Sequence, residues 1–134
     1  MSYRRKTREV ALQLLYALEV SNEPLDILLQ TLLPKEIDLS YLKNILTGVT
    51  KYRLELDKII AEHSKNWILD RISIIDKNIL RMALFELLYN GTVPPEVAIN
   101  EAIELSKKFS TKKSPGFING ILGEYYRKHS GKND

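Results

Sequence analysis

The 134-residue sequence predicts an all-α protein of about seven helices, built as one domain from two packed helical subdomains, about 1–65 and about 66–130. Three observations predict it. Apolar residues recur at helical spacing in every segment, and no alternating strand pattern survives inspection. Breakers fall at helical intervals: Asn22–Glu23–Pro24, Leu33–Pro34, Ser64–Lys65–Asn66, Asn90–Gly91, Val93–Pro94–Pro95 and Ser110–Ser114–Pro115. Length and a hydrophobic fraction of 44% suit a single core, and no long linker divides the chain.

The first helix is expected at about 4–21. At 100° per residue, Val10, Ala11, Leu14, Leu15, Ala17 and Leu18 make its core face. Leu12 and Tyr16, an i, i+4 pair, fall on the polar side with Arg5, Lys6, Glu9 and Gln13. An apolar pair framed by charge predicts a small contact patch for a partner, the alternative being cover from elsewhere in this chain. Two further helices are expected at about 24–33 and 38–63, then a short piece near 67–71. Trp67 is expected to anchor the joint between the halves. Helix 73–90 is apolar almost all round, which predicts a central element covered on most sides. Only Asp76, Lys77, Asn78, Arg81 and Glu86 offer it polar contacts. Helix 95–109 is amphipathic, with Ala98, Ile99, Ala102, Ile103, Leu105 and Phe109 inward. The last helix, 114–128, is expected to start with Ser114 as N-cap and Pro115 in its first turn.

The net charge of +3 is unevenly spread. Residues 1–8 hold Arg4, Arg5, Lys6 and Arg8 with no acid, and residues 107–134 hold seven bases against two acids. Nine bases and fifteen acids between them leave an acidic middle. Basic ends brought together by the fold would form one patch suited to a polyanion; ordinary solvated tails are the alternative.

Catalytic constellations are missing from the pattern. The histidines, His63 and His129, have no cysteine and no ligand-spaced acid beside them, so no metal or other cofactor is expected. No glycine-rich loop joins a strand to a helix. No small-molecule substrate is expected. Neither a signal peptide nor a membrane-length apolar run is present, which predicts a soluble, cytoplasmic protein without membrane association.

The run KKFSTKKSPGFINGILGEYY, residues 107–126, carries the functional signal. Gly116, Gly120 and Gly123 sit at i, i+4 and i+7 on the helix side away from the core, with Asn119. Glycine costs a helix about 1 kcal/mol relative to alanine, so three on one face ask for a reason. Lys112 and Lys113 precede the helix N-terminus, which favours phosphate, and Phe117 borders the two faces. Such a surface admits a nucleic-acid backbone closely and offers a ring for stacking. Close packing against another helix uses glycine equally well.

The strings RRKTREVALQLLYALE, NWILDRISIIDKNILRMALFELLY, VPPEVAINEAIELSKKFS and SPGFINGIL follow one another in this order. Together they resemble the NusB family of bacterial transcription antitermination factors over nearly the whole chain; AINEAIEL and FINGIL are the most specific. The resemblance implies an all-helical fold of two packed subdomains. It implies binding to boxA-type RNA of nascent ribosomal RNA leaders, together with the small-subunit ribosomal protein NusE, within an RNA polymerase antitermination complex. It implies that Arg4, Arg5 and Arg8, and Ser114, Phe117, Ile118, Asn119 and Gly120 face RNA; Lys6, in the same basic start, is expected to join them. It further implies that Tyr16, beside Leu12, and Asp76 face the ribosomal protein. Many family members carry acids where this chain has Lys112 and Lys113, so these two add positive charge beside the RNA surface. An RNA-binding adaptor, not an enzyme, is the leading expectation. A protein–protein scaffold with only non-specific RNA affinity is the alternative.

Overall fold

The computed structural model describes residues 3–32, 36–64 and 69–129, and Trp67 lies outside them. Seven α-helices run in order among these residues: α1 Arg4–Val20, α2 Leu25–Leu32, α3 Leu39–Lys51, α4 Arg53–His63, α5 Ile74–Tyr89, α6 Pro95–Phe109 and α7 Ser114–His129. A 3-10 turn, Leu69–Arg71, precedes α5. No strand occurs among the described residues, and no described helix is long and apolar enough to cross a membrane.

Helix α5 is the hub, packing on α1, α3, α4, α6 and α7. Ser73 caps it by accepting the Asp76 amide N–H at 3.1 Å. Its apolar side chains Ile79, Leu80, Met82, Ala83, Leu84 and Phe85 are all buried. Its polar residues Asp76, Asn78, Arg81 and Glu86 are buried as well, each paired across to another element. Arg81 reaches Asp57 on α4 and Glu19 on α1, while Glu86 takes Arg8 from α1. The polar groups of the central helix therefore bind its neighbours to one another.

The single helix expected over 38–63 is two. The chain turns at Tyr52, whose backbone (φ −103°, ψ 15°) leaves the helical region. No glycine or proline marks the break; tertiary packing sets it. A Cβ at Gly48 would lie 2.1 Å from the Phe85 ring, so α3 rides directly on that ring. One turn later the Tyr52 ring stacks on Tyr89 at 3.9 Å and 10°. Two separate helices let both contacts form on α5.

Candidate nucleic-acid interface

The basic start of α1 is largely engaged within the chain. Arg8, read from sequence as facing RNA, is instead 4% exposed and bonds Glu86 through Nε at 3.0 Å and Nη2 at 3.2 Å. Burial pushes the Glu86 carboxyl above its ordinary range, and the bonds from Arg8 only partly offset this. Arg8 is therefore a buried ion-pair member of the fold, on the helix side facing α5. Arg4 lies over the Tyr41 ring at 4.4 Å. Arg5 is exposed but donates Nε and Nη2 to both Glu101 carboxylate oxygens, at 3.1 and 2.7 Å. Those bonds hold Glu101 below its usual range and raise Arg5. A phosphate must compete with Glu101 for Arg5. Lys6 is exposed and stands 3.9 Å from Glu9.

Helix α6 brings further cations alongside. Lys108 bonds Glu9 at 3.0 Å, and Arg5, Glu9, Glu101, Lys107 and Lys108 line one groove between α1 and α6. The expected meeting of the basic ends thus holds for Lys107 and Lys108. Lys112 and Lys113 follow in the α6–α7 loop, beyond the end of α6, which lies about 12 Å from Glu101 at 1.5 Å per helical residue. Arg127 and Lys128 lie at the far end of α7. The cations form a band along α6 rather than one cluster.

Ser114, also read as facing RNA and as the helix N-cap, is buried and does neither job directly. Its hydroxyl bonds Asp76 Oδ2 at 2.9 Å, while the Phe117 N–H goes to the Lys113 carbonyl. The Ser110 hydroxyl takes the other oxygen of Asp76 at 2.7 Å. Asp76 is likewise buried, not presented to a partner; it pins the α6–α7 loop to the start of α5. This arrangement fixes where Lys112, Lys113 and α7 stand.

On α7 the outward side read from sequence holds for Gly116, Asn119 and Gly120, whereas Gly123 is half-buried and Ile118, implied by the resemblance to face RNA, is fully buried because it points into the core. Gly116, Asn119 and Gly120 are exposed, Phe117 is half-buried, and Ile118, Ile121 and Leu122 are in the core. A Cβ at Gly116 or Gly120 would meet nothing within 4 Å. Packing against another described helix therefore does not account for these two glycines. On α1, Leu12 corrects the expected surface pair: it is 2% exposed and belongs to the core, whereas Tyr16 is 41% exposed. Neighbours on several sides of α1 (α2, α3 and α5) bury more than one stripe of it. Of the pair, only Tyr16 is offered outward.

Comparison with known proteins decides the family. The NusB family model matches residues 5–127. The chain belongs to the NusB family. Transcription antitermination protein NusB of Geobacter sulfurreducens is 43% identical over 92% of this chain and 94% of its own length. That of Chloroherpeton thalassium is 42% identical over 96% of this chain, which spans only 64% of that relative. NusB of T. maritima, 31% identical, superposes with a TM-score of 0.83 over 98% of this chain and 96% of its own. A complex of antitermination factors NusB and NusE with double-stranded RNA contains a chain with the same fold. It is 24% identical, with a TM-score of 0.82 over 95% of this chain and 98% of that one.

Within this NusB fold, sequence reasoning passed over two residues beside the candidate interface. Glu101 sits inside the AINEAIEL string, and its i, i+3 neighbour Glu104 hinted at an acidic wall for the groove. Arg71 stands in the 3-10 turn and lines one cavity with Lys113, and no local pattern marks it. Among the described residues no group of three or more histidines and carboxylates is placed to hold a metal.

Proposed function

We propose that this chain is a transcription antitermination adaptor of the cytoplasm that performs no chemistry of its own. It binds boxA-type RNA of nascent ribosomal RNA leaders together with the ribosomal protein NusE, and joins the RNA polymerase antitermination complex. The observation that carries the reading is the open glycine face of α7 beside Lys112 and Lys113. RNA runs along the band from Arg5 and Lys6 past Lys107 and Lys108 to this face, where Phe117, Asn119 and Gly120 meet it. Arg4 flanks the start of the band. Phosphate contacts fix position, and base contacts on α7 carry the sequence preference. NusE docks near Tyr16. Family membership, and the NusB–NusE–RNA complex formed by a structural neighbour, support this assignment.

The deciding experiment is a titration with boxA-type RNA and a scrambled control, with and without NusE. Preference for boxA that sharpens with NusE supports the proposal; equal binding of both RNAs favours the scaffold. Steep salt dependence separates phosphate contact from apolar docking.

Gly120→Ala distinguishes RNA approach from a neutral glycine. The position is helical and its added Cβ meets nothing, so unfolding free energy is expected to rise by about 1 kcal/mol. RNA affinity is expected to fall, since the methyl holds the strand away. A stabilised variant with unchanged affinity removes Gly120 from the interface. Tyr16→Asp is expected to keep its circular dichroism and melting point, bind RNA alone as before, and weaken NusE binding at least about thirtyfold, the effect of losing about 2 kcal/mol at an aromatic anchor. Normal NusE binding by the folded variant places that interface elsewhere.

A further inference from the structure

The groove between α1 and α6, about 260 Å³ in volume, holds its charges in two tiers. The carboxylates of Glu9 and Glu101 lie inside, while Arg5 and Lys108 lie outside. The Arg5 side chain is 64% exposed and that of Glu101 14%. Arg5 reaches back across the groove and gives Nε and Nη2 to the two oxygens of Glu101, at 3.1 and 2.7 Å. A guanidinium grips an oxyanion as a fork through one of two edges, Nε with Nη2 or Nη1 with Nη2. Both edges contain Nη2. A phosphate that takes Arg5 by a fork must therefore first free Nη2 from Glu101. That exchange does not strand the carboxylate. Arg8 Nη1 stands 3.7 Å from Glu101 Oε1, and Arg8 is itself buried and fixed by its two bonds to Glu86.

We infer that Glu101 is an autoinhibitory residue: it holds Arg5 back on α6 in the free protein, a phosphate of the bound strand takes Arg5 from it, and Arg8 stays behind as its counter-charge. The inference rests on the RNA-binding reading above. It gives a role to an acid that touches no RNA. It gives one to Arg8 as well, which is buried away from the strand and keeps Glu101 compensated once Arg5 has left. The Glu101 carboxyl is held below its usual range, first by the bond from Arg5, so it is ionised at neutral pH and competes with a full charge. Each exchange trades one charge-assisted bond for another, and Arg5 adds less to RNA affinity than a solvated arginine would. A neutral side chain at position 101 removes the competitor and leaves Arg5 to the strand.

The test is a double-mutant cycle read by RNA binding. Wild type, Glu101→Gln, Arg5→Gln and the double variant are each titrated with single-stranded boxA-type RNA and with its scrambled control. Glutamine keeps the shape of glutamate without its charge, and Glu101 lies outside the hydrophobic core, so the variants are expected to fold, as circular dichroism and melting will check. Glu101→Gln should bind both RNAs about fivefold more tightly, the upper end for an exposed ion pair. Arg5→Gln should cost about fivefold more affinity in the Glu101→Gln background than in wild type. Glu101→Asp gives a second reading. It keeps the charge but draws it one methylene back from Arg5, so it should show a smaller gain that again depends on Arg5. Unchanged or weaker RNA binding by either folded variant overturns the inference. So does a gain that persists undiminished when Arg5 is replaced, because it then comes from the general field of the lost acid. Failure of wild type to bind either RNA overturns the RNA reading itself.

Discussion

Arg81→Ala is expected to lower the free energy of unfolding by about 3 kcal/mol, the lower end for breaking a buried ion pair. Arg81 is 2% exposed at the middle of α5. Its Nε and Nη2 donate to the two oxygens of Asp57 at 2.7 and 3.1 Å, and its Nη1 donates to Glu19 at 3.0 Å and to Asn78 at 3.1 Å. Truncation leaves two inward carboxylates without their shared cation. Their side chains are 16% and 17% exposed, so water relieves part of the cost. Lys77 and Arg53, at 3.7 and 3.4 Å from Glu19, relieve a further part. Arg81→Lys should recover little, because one ammonium cannot span both carboxylates as the planar guanidinium does. Urea unfolding checks the magnitude, and a loss under about 1 kcal/mol reduces the network to a surface ion pair.

The acid limb gives a second reading of the same network. Burial alone raises the Glu19 carboxyl, but hydrogen bonds from Asn78 and Arg81 outweigh it and hold the group below its ordinary 4.5. A carboxyl lowered on folding stabilises fully above its unfolded value and loses that contribution as pH falls through the folded one. Wild type should therefore lose stability below about pH 4.5 from this source, and Arg81→Ala should lose less there. Glu86 works the other way. Its folded carboxyl is raised, so its ionised form is the costly one, and lowering the pH relieves that cost.

The helical class, and most helix boundaries to within a residue or two, were legible because periodicity and breakers are local. The turn at Tyr52 was not. It depends on Phe85 and Tyr89, more than thirty residues away, and on a glycine whose missing Cβ matters only once the Phe85 ring is against it. The burial of Leu12 escaped for a related reason: a helical wheel gives one polar side, while α1 has neighbours on several. At the candidate interface, residue type was legible and pairing was not. An arginine run reads as a basic patch until Glu86 and Glu101, from helices far along the chain, are seen to engage Arg8 and Arg5. The acidic middle of the sequence is thus partly the counter-charge of its basic start. The same logic applies to Ser114 and Asp76, thirty-eight residues apart and bonded to each other. What the sequence did mark correctly is the open side of α7, since three glycines at helical spacing need no distant partner to be noticed.

Because Arg8 is buried and Arg5 is shared with Glu101, the cations left most available to RNA on this band are Lys112 and Lys113. Both are exposed, and neither has an ion-pair partner among the described residues. Lys112→Glu with Lys113→Glu is therefore expected to produce the largest loss of RNA affinity of any surface change. It replaces two cations by two anions at the mouth of the α7 face, well within the ~10 Å over which charges act at 0.1 M salt. Affinity should fall more than about tenfold at low salt, and the log–log salt slope should become shallower by about 1.4 if each lysine holds one phosphate of a single strand. Scrambled and boxA-type RNA should lose affinity alike, because phosphate contacts carry no sequence information. Folding should be unaffected, since neither side chain packs in the core. Lys108→Glu makes a useful comparison. Lys108 already bonds Glu9, so its reversal also breaks an internal pair and sets Glu9 against a new acid. It should therefore show a small stability loss that the double variant lacks. If the double variant binds RNA with wild-type affinity and slope, the strand does not pass the α6–α7 loop, and the glycine face of α7 must serve another partner.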